Sequence, residues 1–212
     1  MSTAAEVAKR LMQINAIKLN PQNPFTWASG LRSPIYCDNR LALSHPDLRS
    51  FLIDCFVEKA ADFGPVDGVA GVATAGIPHG ALLADRLGLP FIYVRSKAKG
   101  HGRQNMIEGE MASGARLLVI EDLISTGGSC LAAVEALREA KYQVSGVLAI
   151  FTYGFPQAQS AFEAASCPFG TLSSYPVLLE EAKNQKYITN DQLKTLQEWQ
   201  QDPKAWSIRF SN

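Results

Sequence analysis

Residues 117–120, Leu-Leu-Val-Ile, run directly into Glu121 and Asp122 and then into Ser125-Thr126-Gly127-Gly128-Ser129. Four consecutive apolar residues suit a strand covered on both faces, as strands are inside a parallel sheet. The small-residue turn leads into a second patterned stretch, residues 131–140, which reads as a helix. That order puts the acids at the strand's carboxyl end, the edge at which open α/β sheets bind ligands. A helix start offers unpartnered N–H groups and the positive end of the helix dipole, a seat for phosphate. Two carboxylates beside that seat would repel a bare phosphate. A ribose carrying a phosphate meets both demands: its hydroxyls donate to the acids while the phosphate lies in the turn. Mg2+ nearby would fit as well.

The rest of the chain alternates. Leu48, Phe51, Leu52, Cys55 and Phe56 mark one face of a helix that Pro46 can start and Gly64 can stop. Strands are expected at 66–72, 91–94, 116–120 and 144–151, with a helix at 77–87. Strands alternating with helices imply βαβ units, right-handed crossovers and an α/β fold with a mostly parallel sheet. Thr3 and Glu6 have capping-box spacing ahead of Val7, Leu11 and Ile14, and Thr189 and Gln192 repeat it ahead of Leu193, Leu196 and Trp199.

Charge disfavours one class of function, general nucleic-acid binding. The 20 Lys and Arg residues balance the 20 Asp and Glu residues, whereas a general duplex-binding domain carries a basic excess. Cys37, Cys55, Cys130 and Cys167 form no C-x-x-C pair, so free thiols in a cytoplasmic protein are expected rather than disulfides or a zinc site. The sequence shows neither a signal peptide nor an apolar run of membrane-spanning length. Locally the balance fails: Arg95, Lys97, Lys99, His101 and Arg103 crowd together without an acid among them. Such a cluster repels itself unless it meets an anion. Residues 94–115 read as one long loop, and structureless loops of about fifteen or more residues inside compact domains usually serve as lids or binding loops.

Three segments carry a family resemblance. VIEDLISTGGS at 119–129, PFTWASGLRSPIYCDNR at 24–40 and YVRSKAKGHGRQNMIEG at 93–109 resemble the type I phosphoribosyltransferases, which use 5-phosphoribosyl 1-diphosphate (PRPP). Within that family they look most like the branch acting on orotate. The resemblance implies one domain over 1–212. A small N-terminal hood spans 1–40, an α/β core 41–175 with a mobile lid near 95–114, and a helical segment 176–212. It implies a homodimer in which each lid acts on the neighbouring site, with Mg2+ bound through the substrate's diphosphate and ribose oxygens. Arg95, Lys99 and His101 match the lid's catalytic, PRPP-contacting positions. Glu121 and Asp122 match the ribose-binding acids, and Leu123, Ile124, Ser125, Thr126, Gly127, Gly128 and Ser129 the rest of the PRPP loop, with Ser125 also near orotate.

At three places this chain departs from the family pattern. Ala28 stands where relatives place a lysine, Thr152-Tyr153 supply no arginine after the last core strand, and Thr74-Ala75 replace Tyr-Lys. Orotate's carboxylate then needs another partner, and Arg40 is the expected one because a guanidinium can grip it bidentately; the alternative is an ion pair of Arg40 with Asp38 or Asp47. Trp27 and Tyr36 either line the base pocket or pack the hood, and His45 and His79 receive no role. Two rivals stay open, a purine phosphoribosyltransferase and a non-enzymatic PRPP sensor.

Overall fold

The computed structural model describes residues 2–27, 29–96 and 106–210. The elements are α1 (Thr3–Gln13), β1 (Ile17–Leu19), β2 (Phe25–Thr26), β3 (Arg32–Ser33), β4 (Ile35–Cys37), α2 (Pro46–Ala60), β5 (Gly68–Val72), α3 (Gly76–Leu87), β6 (Phe91–Val94) and β7 (Ile107–Glu108). They continue with β8 (Arg116–Ile124), α4 (Gly128–Glu139), β9 (Gln143–Thr152), α5 (Pro156–Ala164), β10 (Phe169–Ser174), α6 (Tyr175–Asn184), α7 (Asn190–Gln201) and α8 (Pro203–Ile208). The main sheet runs β10-β9-β8-β5-β6-β7, parallel throughout except for β7.

Leu117 to Ile120 are fully buried, as a strand covered on both faces must be. Their side chains alternate between two layers. Leu118 and Ile120 join the core built with α1, α2, α3, α6 and α7, while Leu117 and Val119 join the core under α4 and α5. Burying one such side chain stabilises the fold by about 1.5–3 kcal/mol. This is an α/β fold with a six-stranded, mostly parallel sheet flanked by helices.

Several details differ from the sequence reading. β8 extends four residues further, to Ile124, and α4 begins earlier, at Gly128. The first helix is capped by Ser2, whose hydroxyl accepts the Ala5 N–H at 3.3 Å. Thr3 is therefore the first helical residue, and Glu6 instead takes Arg10 Nε at 2.7 Å, an i,i+4 pair. The capping box at Thr189 and Gln192 has both its halves. Ile107 and Glu108 are strand rather than loop: they pair with Val94 and Tyr93 and cover what would otherwise be an exposed edge of β6. α5 and β10 were not anticipated. The FGTLSS sequence of β10 has little strand propensity, and its pairing with β9 closes the opposite edge.

The segment before α2 forms two small ribbons, β1 with β4 and β2 with β3. A 3-10 turn over Asn39–Ser44 follows, and in it the buried Asn39 donates from Nδ2 to the Asp122 carbonyl at 2.8 Å. That bond fastens the hood to β8 at one of the two acids.

His79 in α3 is fully buried beside Phe56, and neither ring nitrogen has a hydrogen-bond partner. Burial pushes its pKa down to about 4 from 6.5. Between those values the unfolded chain binds the proton and the folded one does not, so this contribution to stability is whole above pH 6.5 and is lost as pH falls toward 4. Unfolding free energies from urea titrations across that range should show a loss on the order of 2 kcal/mol. His79→Leu should flatten that part of the profile; an unchanged slope in the variant would assign the acid lability to other groups.

Candidate active site

β5 and β8 stay paired only as far as Gly71 opposite Ile120, whereas β9 accompanies β8 to Ile124. The chain runs outward from β5 to β6 on one side and from β8 to β9 and β10 on the other. The β5/β8 boundary is thus a topological switch point, and the crevice beyond its carboxyl ends is where such sheets hold ligands. α3 starts there too, pressed so close that a Cβ on Gly76 would overlap the Ile120 carbonyl.

Glu121 and Asp122 lie on β8 just beyond its last pairing with β5. Glu121 is buried; its Oε1 accepts the Asp122 N–H at 3.0 Å and its Oε2 accepts the Ser129 hydroxyl at 3.4 Å. Burial raises its pKa well above the carboxylate range, and the adjacent Asp122 charge adds to the rise. Burial also raises Asp122, while hydrogen bonding and the Arg40 charge pull it back. Two crowded carboxylates of this kind await neutral donors or a cation, and sugar hydroxyls are such donors.

The turn follows at once. Gly127 caps α4 in the left-handed region, at φ 84°, and Ser125, Thr126, Gly128 and Ser129 flank it. Among the described residues none accepts from the N–H groups of Thr126, Gly127 or Gly128, so they are free to surround an anion. Thr152 Oγ1 donates to the Ile124 carbonyl at 3.0 Å and accepts the Gly154 N–H, bracing the strand end beneath the turn.

A cavity of about 270 Å³ separates this strand end from the hood, lined by Thr26, Trp27, Tyr36, Cys37, Leu123, Ser125 and Tyr153. Trp27 and Tyr153 lie 5.3 Å apart, ring to ring, and Trp27 Nε1 donates to the Ile35 carbonyl. The walls suit a flat ring of base size, and Ser125 belongs both to the cavity and to the turn. Among the described residues no group of three or more His, Cys, Asp or Glu side chains could hold a metal ion.

The predicted site residues fall into three sets. Glu121 through Ser129 converge on the crevice edge. Arg95 stands at the end of β6, its N–H bonded to the Met106 carbonyl at 2.7 Å and its guanidinium 3.4 Å from Glu108. Lys97, Lys99, His101 and Arg103 lie outside the described residues. Arg40 spends its fork on Asp38, with Nε to Oδ1 at 2.7 Å and Nη2 to Oδ2 at 2.9 Å. Thr26, Cys37, Asn39 and Tyr153 were not picked out from sequence. Nothing local marks them, because their importance comes from the hood folding back onto β8.

Residues 49–162 match the phosphoribosyl transferase domain family. A curated relative from Listeria innocua, named orotate phosphoribosyltransferase, is 52% identical over 207 residues, covering 97% of this chain and 99% of the relative. Another of that name from Bacteroides fragilis is 53% identical over 200 residues and 94% of each chain. The solved orotate phosphoribosyltransferase from Aeropyrum pernix superposes with a TM-score of 0.75 at 30% identity, over 86% of this chain and 99% of its own. A sheet switch point bearing paired acids and an amide-lined turn, together with near-full-length identity of this order, shows that the chain belongs to the orotate phosphoribosyltransferase family.

Proposed function

We propose that this chain transfers the 5-phosphoribosyl group of PRPP to orotate, forming orotidine 5′-monophosphate and releasing diphosphate. One observation carries the reading: a cavity walled by Trp27, Tyr36 and Tyr153 opens onto the same strand end that bears the acids and the turn. In this reading the amides of residues 125–129 hold the 5-phosphate, Glu121 and Asp122 take the ribose hydroxyls, and the hood cavity takes the pyrimidine ring. An orotate ring nitrogen, its N–H proton given up to solvent, then attacks C1 as the C1–O bond to diphosphate breaks, and the bonding pair leaves with the diphosphate. Positive charge grows on the ribose and negative charge on the leaving group, so the protein's work is to place the partners, exclude water and supply cations to the diphosphate.

Arg95, Lys99 and His101 are the cations assigned to that leaving group. Glu121 and Asp122 are the residues that would lie nearest to Mg2+ carried in on the substrate, and they would hold the ribose rather than the ion. When bound, the ion would neutralise developing charge on the diphosphate. A homodimer with lids exchanged between subunits and a cytoplasmic location belong to the same proposal, and among the described residues no helix is long and apolar enough to cross a membrane. Arg40 reaches orotate's carboxylate only by releasing Asp38.

Loss of orotate absorbance should require both PRPP and Mg2+ and should stop with EDTA. PRPP consumption with adenine, hypoxanthine or xanthine but not orotate would move the chain to the purine enzymes, and binding of PRPP without turnover on any base would make it a sensor. Lys99→Ala should lower kcat at least about tenfold with a smaller effect on the KM for PRPP, because its charge is most useful as the bond breaks. Undiminished turnover in that variant removes Lys99 from the mechanism.

A further inference from the structure

The hood cavity has no cation in its lining, yet the proposed substrate is a carboxylate. We infer that Arg32, acting with Thr26, recognises the carboxylate of orotate; the inference rests on the function proposed above and names the group that gives it specificity.

Thr26 and Arg32 are cross-strand partners in the β2/β3 ribbon, and side chains so paired stand next to each other. Thr26 lines the cavity, and Arg32 Nη1 donates to its hydroxyl at 2.9 Å. The guanidinium therefore lies one hydroxyl away from the cavity wall. Its backbone is fixed as well: the Arg32 N–H donates to Ser207 Oγ of α8 at 2.8 Å, so the C-terminal helix holds the ribbon in place. Arg32 pairs with no carboxylate among the described residues, and its Nε is buried without a hydrogen-bond partner. An orphaned buried donor destabilises the empty protein and is relieved when an acceptor arrives. A planar carboxylate is the natural acceptor for a guanidinium fork.

The other nearby cations are less well placed. Arg40 is already bound bidentately by Asp38 and is largely exposed. Lys204 lines a neighbouring cavity shared with Trp27 and Ser125, but it is exposed on α8 and offers a point charge rather than a fork. The missing arginine after β9 is explained in the same terms: Tyr153 fills that position as a buried wall of the cavity, and the charge comes from the opposite side, out of the hood.

The test compares Arg32→Gln and Arg32→Lys with Arg40→Ala and Lys204→Ala, reading the KM for orotate, the KM for PRPP and the thermal midpoint of each. Arg32→Gln should raise the orotate KM about tenfold or more, the usual consequence of losing a charge-assisted bond. The PRPP KM should stay within about twofold, because Arg32 bonds to Thr26 and Ser207 and to none of the residues proposed to hold PRPP. Arg32→Lys should recover part of the loss through its charge but not all of it, since it lacks the fork. Equal rises in both KM values, or a lowered midpoint that accounts for the loss in both variants, would reduce Arg32 to a structural residue and overturn the inference. So would a normal orotate KM in both Arg32 variants with the loss appearing in Arg40→Ala or Lys204→Ala. A wild-type protein that ignores orotate altogether defeats the proposed function instead, so the two failures are told apart by the unmodified enzyme.

Discussion

Gly127→Val is expected to lower kcat/KM for PRPP by about a thousandfold, through the loss of the proposed phosphate seat. Gly127 sits at φ 84°, where a β-branched residue is strained, and a Cβ there would meet the Phe162 ring at 2.8 Å. Phe162 is buried under α4 and cannot give way without opening the core beneath it. The chain would escape by changing φ, which swings the N–H groups of Gly127 and Gly128 out of line. Those amides act only when aimed together, so the loss is cooperative rather than one bond's worth. Gly128→Ala is the control. A Cβ at Gly128 meets nothing within 4 Å of the protein, and alanine in a helix gains roughly 0.5–1 kcal/mol over glycine. That variant should keep or raise its melting temperature, so any loss of PRPP affinity in it reports crowding of the seat alone. A Gly127→Val enzyme with near-normal PRPP kinetics would show that the phosphate binds elsewhere.

What could be read from sequence was what is encoded locally. Leu117 to Ile120 have no polar residue to expose, so a doubly covered strand was the only economical reading, and the acids, turn and helix follow within a dozen residues. The same holds for Thr189 and Gln192, whose capping box closes over three residues. Errors arose where a competing neighbour decides, whether it is next in the chain or far along it. Ser2 lies one residue ahead of Thr3 and captures the cap, leaving Glu6 to Arg10. Phe169 to Ser174 become a strand because β9 needs a partner, and Ile107 and Glu108 because β6 does. In the hood, the spacing showed that cations were present but not which one was spoken for. Asp38 lies two residues from Arg40 and claims it, whereas Arg32 faces Thr26 only because a two-residue ribbon sets that register. Pairings that depend on register across a turn are invisible to periodicity, and in this protein they set the walls of the base cavity.

Glu121→Gln is expected to make the ligand-free protein more stable at neutral and alkaline pH while lowering PRPP affinity about a hundredfold. Glu121 is only 5% exposed, and its folded pKa lies above the ordinary value of 4.5, chiefly through burial and secondarily through the Asp122 charge. The sign follows from proton binding: between its unfolded and folded pKa the folded protein holds the proton and the unfolded chain does not. Stability from this group is therefore whole below pH 4.5 and declines as pH rises above it. Glutamine removes the charge, keeps an acceptor for the Asp122 N–H, and lets the Ser129 hydroxyl turn to accept. The unfolding free energy from urea titration should rise by about 2 kcal/mol at pH 8 and hardly change at pH 4.5, the pattern expected when a strained functional charge is relieved. The hundredfold loss follows if the donating ribose hydroxyl favours the ionised Glu121 on binding: glutamine cannot ionise, so the proposed charge-assisted bond becomes a neutral one. A variant destabilised at every pH would mean that Glu121 is a structural acid held by the Ser129 hydroxyl and the Cys130 thiol, which donate to its Oε2 at 3.4 and 3.8 Å. A stabilised variant that still binds PRPP normally would leave the ribose to Asp122 alone.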